Sequence, residues 1–301
     1  MARPESDLVI AAPDEIVHGT SAALRVGGAV LLFGVLLGAL YSGILRDLAV
    51  QWWDDPNYSH GFLVPLFSGL LVWQRRRMLA ALPVHGSWVG LAVLIAGVGE
   101  LLLGDIAAEL FLMRSSLIVI LAGLILLHLG RAWLRALVFP LGFLFFMIPL
   151  PGTIFYAIAF PLQNLAAGNA VWLLDLMGVP VIQDGNVIQL SQITLGVTEA
   201  CSGIRSLISL LALAVAWGYL TLSATWAIAA LALAAVPITI VFNAGRVVVT
   251  GLIGQWFGSQ YAEGFFHTFS GWLIFVSAFA CLLAVHGLIQ LVWRRRRGES
   301  P

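Results

Sequence analysis

TIFYAIAFPLQNLAAGNAVWLLDLMG, residues 153–178, is the stretch on which the fold turns. It is apolar enough to count as a membrane span, yet it carries Gln163, Asn164, Asn169 and Asp175. Parity decides its place. Three basic clusters punctuate the chain: Arg75 to Arg77, the pair Arg131 and Arg135, and Arg294 to Arg297. Basic residues next to spans stay on the cytoplasmic side. If residues 153–178 cross the membrane, one cluster must fall outside. If they lie along the outer interface, all three fall inside and both termini are cytoplasmic. The sequence therefore predicts an interfacial amphipathic helix here.

A span needs about 20 mainly apolar residues. The clear runs are 24–45, 86–104, 111–129, 202–220, 225–247 and 268–291, with shorter ones at 60–74 and 134–149, so about eight spans are expected. The first short run stops on Arg75; the second holds Pro140 and meets Pro149-Leu150-Pro151-Gly152, where a helix ends. Composition agrees. Of the 301 residues 60% are hydrophobic and 10% charged, whereas a soluble domain carries about a quarter of its residues charged. Lipid is the solvent, and the fold class is an all-α polytopic membrane protein. After the interfacial helix, Asp184-Gly185-Asn186 marks a turn among Val187, Ile188, Leu190, Ile193 and Leu195, so a small extracytoplasmic hairpin is expected.

Residues 1–22 are polar and acidic and read as a disordered cytoplasmic N-terminus. Residues 23–293 form a single transmembrane domain, and 294–301 a basic cytoplasmic tail. No charged n-region with a cleavage site precedes the first apolar run, so that run is expected to stay as an anchor. A net charge of zero without a basic stripe argues against nucleic acid as a partner. Cys201 and Cys281 cannot make a disulfide framework.

Three motifs fall at the outer ends of the last three spans. They are Thr198-Glu199-Ala200-Cys201-Ser202-Gly203-Ile204-Arg205-Ser206, Phe242-Asn243-Ala244-Gly245-Arg246, and Gly264-Phe265-Phe266-His267-Thr268-Phe269-Ser270-Gly271. Cys201 sits near a helix N-terminus, where unpaired N–H groups favour thiolate. Arg205, four residues on, shares its helical face and adds a fixed positive charge. His267 has the chemistry of a general base, or of an acid to the leaving amine. Arg246 suits a developing oxyanion or a scissile carbonyl. A structural reading stands beside each. Cys201 alone is a small buried hydrophobe, Arg205 and Arg246 alone snorkel or pair with Glu199 and Glu263, and His267 alone is interfacial. Glu100 and Arg114 pair near the outer ends of adjacent spans, and His128 and His286 lie toward the cytoplasmic ends of theirs. Asp54-Asp55-Pro56-Asn57-Tyr58-Ser59-His60-Gly61 reads as an Asx-rich turn that starts a helix, with substrate binding as the second reading. Neither HExxH, paired CxxC nor GxSxG occurs, so no metal or other cofactor is expected.

TEACSGIRSL at 198–207, NAGR at 243–246, His267 before FSGW, and YSHGFLVPL at 58–66 resemble the exosortase family of bacterial membrane transpeptidases. The resemblance covers the chain from about residue 30 to 290. It implies exported partner proteins with a C-terminal PEP-CTERM-type signal: a Pro-Glu-Pro motif, a transmembrane helix and a basic tail. It implies an acyl-enzyme on the cysteine and transfer to a second nucleophile at the outer face of the inner membrane, linked to exopolysaccharide and envelope biogenesis. Carried over by position, Cys201 is the nucleophile, Arg246 positions substrate and oxyanion, and His267 is the acid/base. Arg205, Glu199 and Asn243 support substrate or oxyanion. Two alternatives stand beside this: the same nucleophile with water as acceptor, and a transporter or flippase of envelope glycan or lipid. A transporter would place polar groups at mid-membrane and often repeat its architecture, and neither is evident.

Overall fold

The computed structural model describes residues 13–197, 203–258 and 265–296. Ten α-helices are seen there: α1 (Pro13–Asp54), α2 (Leu63–Gln74), α3 (Arg76–Ala80), α4 (Val89–Ile106), α5 (Leu110–His128), α6 (Arg131–Phe143), α7 (Gly152–Leu176), α8 (Ile204–Thr221), α9 (Thr225–Phe257) and α10 (Phe265–Arg296). Short 3-10 helices, Ser59–Phe62 and Leu144–Met147, lead into α2 and follow α6. The chain forms two compact units, residues 1–50 and 51–301. The first holds most of α1; the site lies wholly in the second.

Seven helices among the described residues are long and apolar enough to cross a membrane: Leu32–Asp54, Val89–Ile106, Leu110–His128, Gly152–Leu176, Ile204–Thr221, Thr225–Phe257 and Phe269–Arg294. Large apolar side chains face outward along them, among them Ile95, Leu102, Leu233, Val241, Leu273 and Leu288. A water-soluble fold rarely exposes so continuous an apolar surface. The first helix continues past residue 45 to Asp54, because Arg46 and Asp47 do not break it and Pro56 does.

Neither short helix reaches span length alone, but each continues into its 3-10 turn. Ser59–Gln74 and Arg131–Met147 rise roughly 26 and 28 Å at the ordinary helical increments, close to the ~30 Å hydrocarbon thickness. They pack on each other, and α2 repairs what Pro140 breaks. Proline has no N–H to give the carbonyl four residues back, and Arg75 Nη1 donates to that Ala136 oxygen at 2.9 Å. Ser68 Oγ donates to the Pro140 carbonyl at 3.0 Å. The carbonyls of Phe146 and Met147, at the end of the 3-10 turn, receive His60 Nε2 at 3.1 Å and Trp52 Nε1 at 2.8 Å. Gly61 is buried against that indole, where a Cβ would lie 2.3 Å from Trp52 Nε1. In lipid such carbonyls have no water to turn to.

α4 and α5 form a close hairpin. The buried residues of α4 are Gly90, Gly97 and Gly104, spaced by seven. A Cβ at Gly90 would lie 2.2 Å from the Leu127 nitrogen, and one at Gly123 2.7 Å from that of Leu94. Small residues let the two backbones touch, which is how helices associate without a hydrophobic driving force between them.

The basic clusters share one face. Arg75 lies 5.2 Å over the Tyr219 ring near the end of α8, and His85, shortly after Arg77, bridges to Gly130, next to Arg131. Thr221 Oγ1 meets His286 Nε2 at 2.9 Å, Trp226 lies against Trp293, and Arg294 lines a cavity with Thr221, Leu222, Ser223 and Ala224. α7 starts and ends away from that face. Its first residues, Gly152 and Phe155, line a cleft with Tyr58 and Glu109, and its end, at Leu174, packs with the far end of α9 at Val247, Val248 and Gly251. Length and hydropathy make α7 a candidate span, although both of its ends lie away from the face of the basic clusters. Gln163 turns inward to Asn186 Nδ2 at 3.3 Å, while Tyr156, Phe160, Leu165 and Trp172 face outward with Asn164 and Asp175. That mixed surface suits an interface.

Beside α7 lies a three-stranded antiparallel sheet, β1 (Val181–Asp184), β2 (Val187–Leu190) and β3 (Thr194–Gly196), in order β1-β2-β3. Asp184 pairs with Val187 around Gly185-Asn186, with Gly185 at φ 60°, as a tight hairpin needs. The expected hairpin is thus present and gains a third strand. Ile188, Leu190 and Val197 pack on Ala166, Ala167, Ala170 and Leu174 of α7 and on Val247 and Val248 of α9. α9, with 33 residues, is about 50 Å long at 1.5 Å per residue, so it outreaches the hydrocarbon and its last turns support the sheet.

Candidate active site

Gly203 caps the start of α8, and its φ of 77° is one that residues with a Cβ rarely adopt. A Cβ there would come within 3.0 Å of the Asn243 side chain, so the backbone two residues after Cys201 is pressed onto α9. Asn243 is buried, and one turn on along the same face of α9 is Arg246, only 7% exposed. The Arg246 guanidinium carbon lies 3.8 Å from where a Cβ of Gly271 would be. Gly271 is four residues beyond His267 on α10, one turn along that helix. The segments that carry the three motifs are therefore brought together: the start of α8 on Asn243, and α10 on Arg246.

Cys201 and Glu199 lie outside the described residues, as does the side chain of His267. Arg205, in the first turn of α8, donates through Nε to Asn57 Oδ1 at 3.2 Å. Asn57 is itself held by its own N–H, which donates to Asp55 Oδ1 at 2.9 Å. This is the Asx turn that the sequence suggests, and it has a second task, since it grips α8. One turn further along, Ser209 Oγ meets His60 Nδ1 at 3.4 Å. The Phe146 carbonyl can only accept, so His60 Nε2 donates to it. Residues three apart in one segment thus meet residues four apart in the other. Tyr58 Oη accepts the Leu150 N–H at 3.2 Å, and burial raises its pKa, so the phenol stays protonated at neutral pH.

Arg114, expected to pair with Glu100, donates through Nη1 to Gln51 Oε1 at 2.7 Å, while Glu100 Oε1 receives Ser115 Oγ. Cys281, half-buried, lies against a cluster of α8, α9 and α10 side chains, as a small hydrophobe would. The bonds from Asn57 to Arg205 and from His60 to Ser209 are what motif reading did not find. Their signal in the sequence is faint: two short polar segments with matching spacings, 145 residues or more apart.

A family model described as transmembrane exosortase (Exosortase_EpsH) matches residues 52–284. No curated protein matches the chain, and no solved structure does. The matched region takes in the loop at Asp55–His60, the α8 start, Arg246 and Gly271, which are the parts that meet around the site. This chain, a multi-pass membrane protein, belongs to the transmembrane exosortase family.

Proposed function

We propose that the chain is a cysteine transpeptidase that cleaves the C-terminal PEP-CTERM-type signal of exported proteins at the outer face of the inner membrane. Membership of the family implies a membrane enzyme that processes sorting signals on exported proteins. The observation that carries the finer reading is the approach of the α8 start, Arg246 and the first turns of α10 at one place. In this mechanism the Cys201 thiolate attacks the carbonyl carbon of the scissile peptide. A C–S bond forms while the carbonyl π-electrons move onto oxygen, and Arg246 and Arg205 stabilise that oxyanion. As the carbonyl re-forms, the C–N bond breaks and the amine leaves with a proton from His267. The acyl-enzyme then passes the protein to an acceptor nucleophile, which gives its proton back to His267. Asn243 supports the oxyanion through its amide N–H, and Glu199 supports the substrate.

The positive-inside rule, applied to the face that carries Arg75, Arg131 and Arg294, puts that face in the cytoplasm and the site in the periplasm. Both termini are then cytoplasmic. Replacing Cys201 by alanine or serine tests the nucleophile: uncleaved precursor accumulates on a gel. Normal processing by Cys201→Ala would remove Cys201 from the mechanism. The mass of the processed protein separates the two acceptors, since hydrolysis leaves a free carboxylate and transfer leaves an added group.

A further inference from the structure

We infer that a cleft beside the candidate active site is the subsite for the extended polypeptide segment next to the scissile bond. This rests on the peptide-cleaving reading above. The cleft has a volume of about 370 Å³, within the range typical of ligand sites. Four chain segments wall it: the end of α1 with Asp55–Tyr58, the α4–α5 turn at Ala108–Glu109, the loop Pro149–Pro151, and the start of α7. It opens on the face away from the basic clusters, where a substrate with its own membrane span would emerge.

Asn57 joins the cleft to the site. It lines the cleft and accepts the hydrogen bond from Arg205, two residues past Gly203. A chain lying in the cleft is thus one side chain away from the α8 start. The floor is Arg114, 4% exposed and bonded to Gln51. Tyr58, Phe155 and Tyr156 make an aromatic wall, with Phe155 and Tyr156 edge to face at 5.4 Å. Asp55 Oδ1 and Glu109 Oε2 each accept one local backbone N–H, which leaves each carboxylate a second oxygen able to accept an amide N–H. Two carboxylates against one guanidinium disfavour an anionic lipid headgroup. Backbone amides and aliphatic side chains suit these walls. Ala108, with φ 51° the one described residue other than glycine at a positive φ, also lies in the lining.

The test uses rim positions outside the catalytic assignments, Leu110 and Tyr156, which are 52% and 44% exposed and so tolerate change. The chain is reconstituted in vesicles with a purified precursor that the wild type processes. Tyr156→Ala and Leu110→Trp are expected to raise KM roughly fivefold or more and to leave kcat within about twofold, the signature of lost ground-state binding. Wild-type KM in both variants, or a loss confined to kcat, overturns the inference. So does a KM that follows the anionic-lipid content of the vesicles in the wild type and no longer does so in the variants, which assigns the cleft to a headgroup. Cys201→Ala, run in parallel, separates the two failures. If it still cleaves, the cysteine mechanism of the proposed function falls, and the cleft is then judged on the rim variants alone. If it is inert while the rim variants keep wild-type KM, only the cleft assignment does.

Discussion

Arg246 is held so closely by its neighbours that its shape matters as much as its charge. Gly271 lies at van der Waals distance from the guanidinium, and Asn243 packs one turn before it against Gly203. A planar fork can place two parallel donors on a carbonyl oxygen, whereas an ammonium is a point charge on a flexible stem. Arg246→Lys is therefore expected to lower kcat about 100-fold, the scale of losing an oxyanion donor, with the amount of folded protein unchanged. Near-normal cleavage by that variant would leave Arg246 as a structural cation. Much of this was legible in the sequence: Cys201, Arg246 and His267 stand out as reactive types at the ends of apolar runs. Asn57 did not, because an asparagine after Asp-Pro is already explained by a turn, and its bond to Arg205 spans 148 residues.

Helix pairing follows from what each backbone lacks. α6 contains a proline where a membrane helix needs an N–H, and Arg75, which caps the end of α2, supplies the donor. Arg75→Leu removes that donor and leaves a part-buried carbonyl unsatisfied, a cost at the lower end of about 1–3 kcal/mol. Thermal unfolding in detergent should register the loss. Pro140→Ala restores an N–H to α6, so the double variant should recover much of the stability of wild type. If Arg75→Leu and the double variant unfold alike, the carbonyl repair is not what Arg75 contributes. Both runs, 60–74 and 134–149, were visible as short apolar stretches, and Pro140 as an obstacle. That the two segments solve each other's problem was not, since neither sequence names its partner. The α4 stripe of Gly90, Gly97 and Gly104 is different; its seven-residue spacing is written in the sequence and points to the face that α5 covers.

At the scale of the molecule, the two ends of α7 decide which loops share a face. Both ends lie away from Arg75 and Arg294, so the sheet, the α8 start and the end of α9 stand together. Asp184 in β1 is exposed and reports the side directly. With Cys201 and Cys281 replaced by serine, Asp184→Cys is expected to react with a membrane-impermeant maleimide in cells whose outer membrane has been opened. Labelling only after the inner membrane is lysed would put the sheet in the cytoplasm and overturn the orientation.

The order of residues alone is enough to identify an all-α membrane protein, most of its apolar runs and its family. Those properties depend on local composition and short motifs: an apolar run must be buried in lipid whatever it packs against, and a motif is contiguous. For residues 153–178 local properties were not enough, because the same helix is long and apolar enough to cross and polar enough to stay at the surface. Charge parity along the whole chain favours the surface, while length and hydropathy keep the helix among the candidate spans. That Asn57 and His60 hold α8, that Asn243 and Gly271 lie beside Arg246, and that a cleft opens next to Asn57 emerge from the packing of the helices. Those contacts join side chains far apart in the chain, and their geometry exists only after the helices have packed.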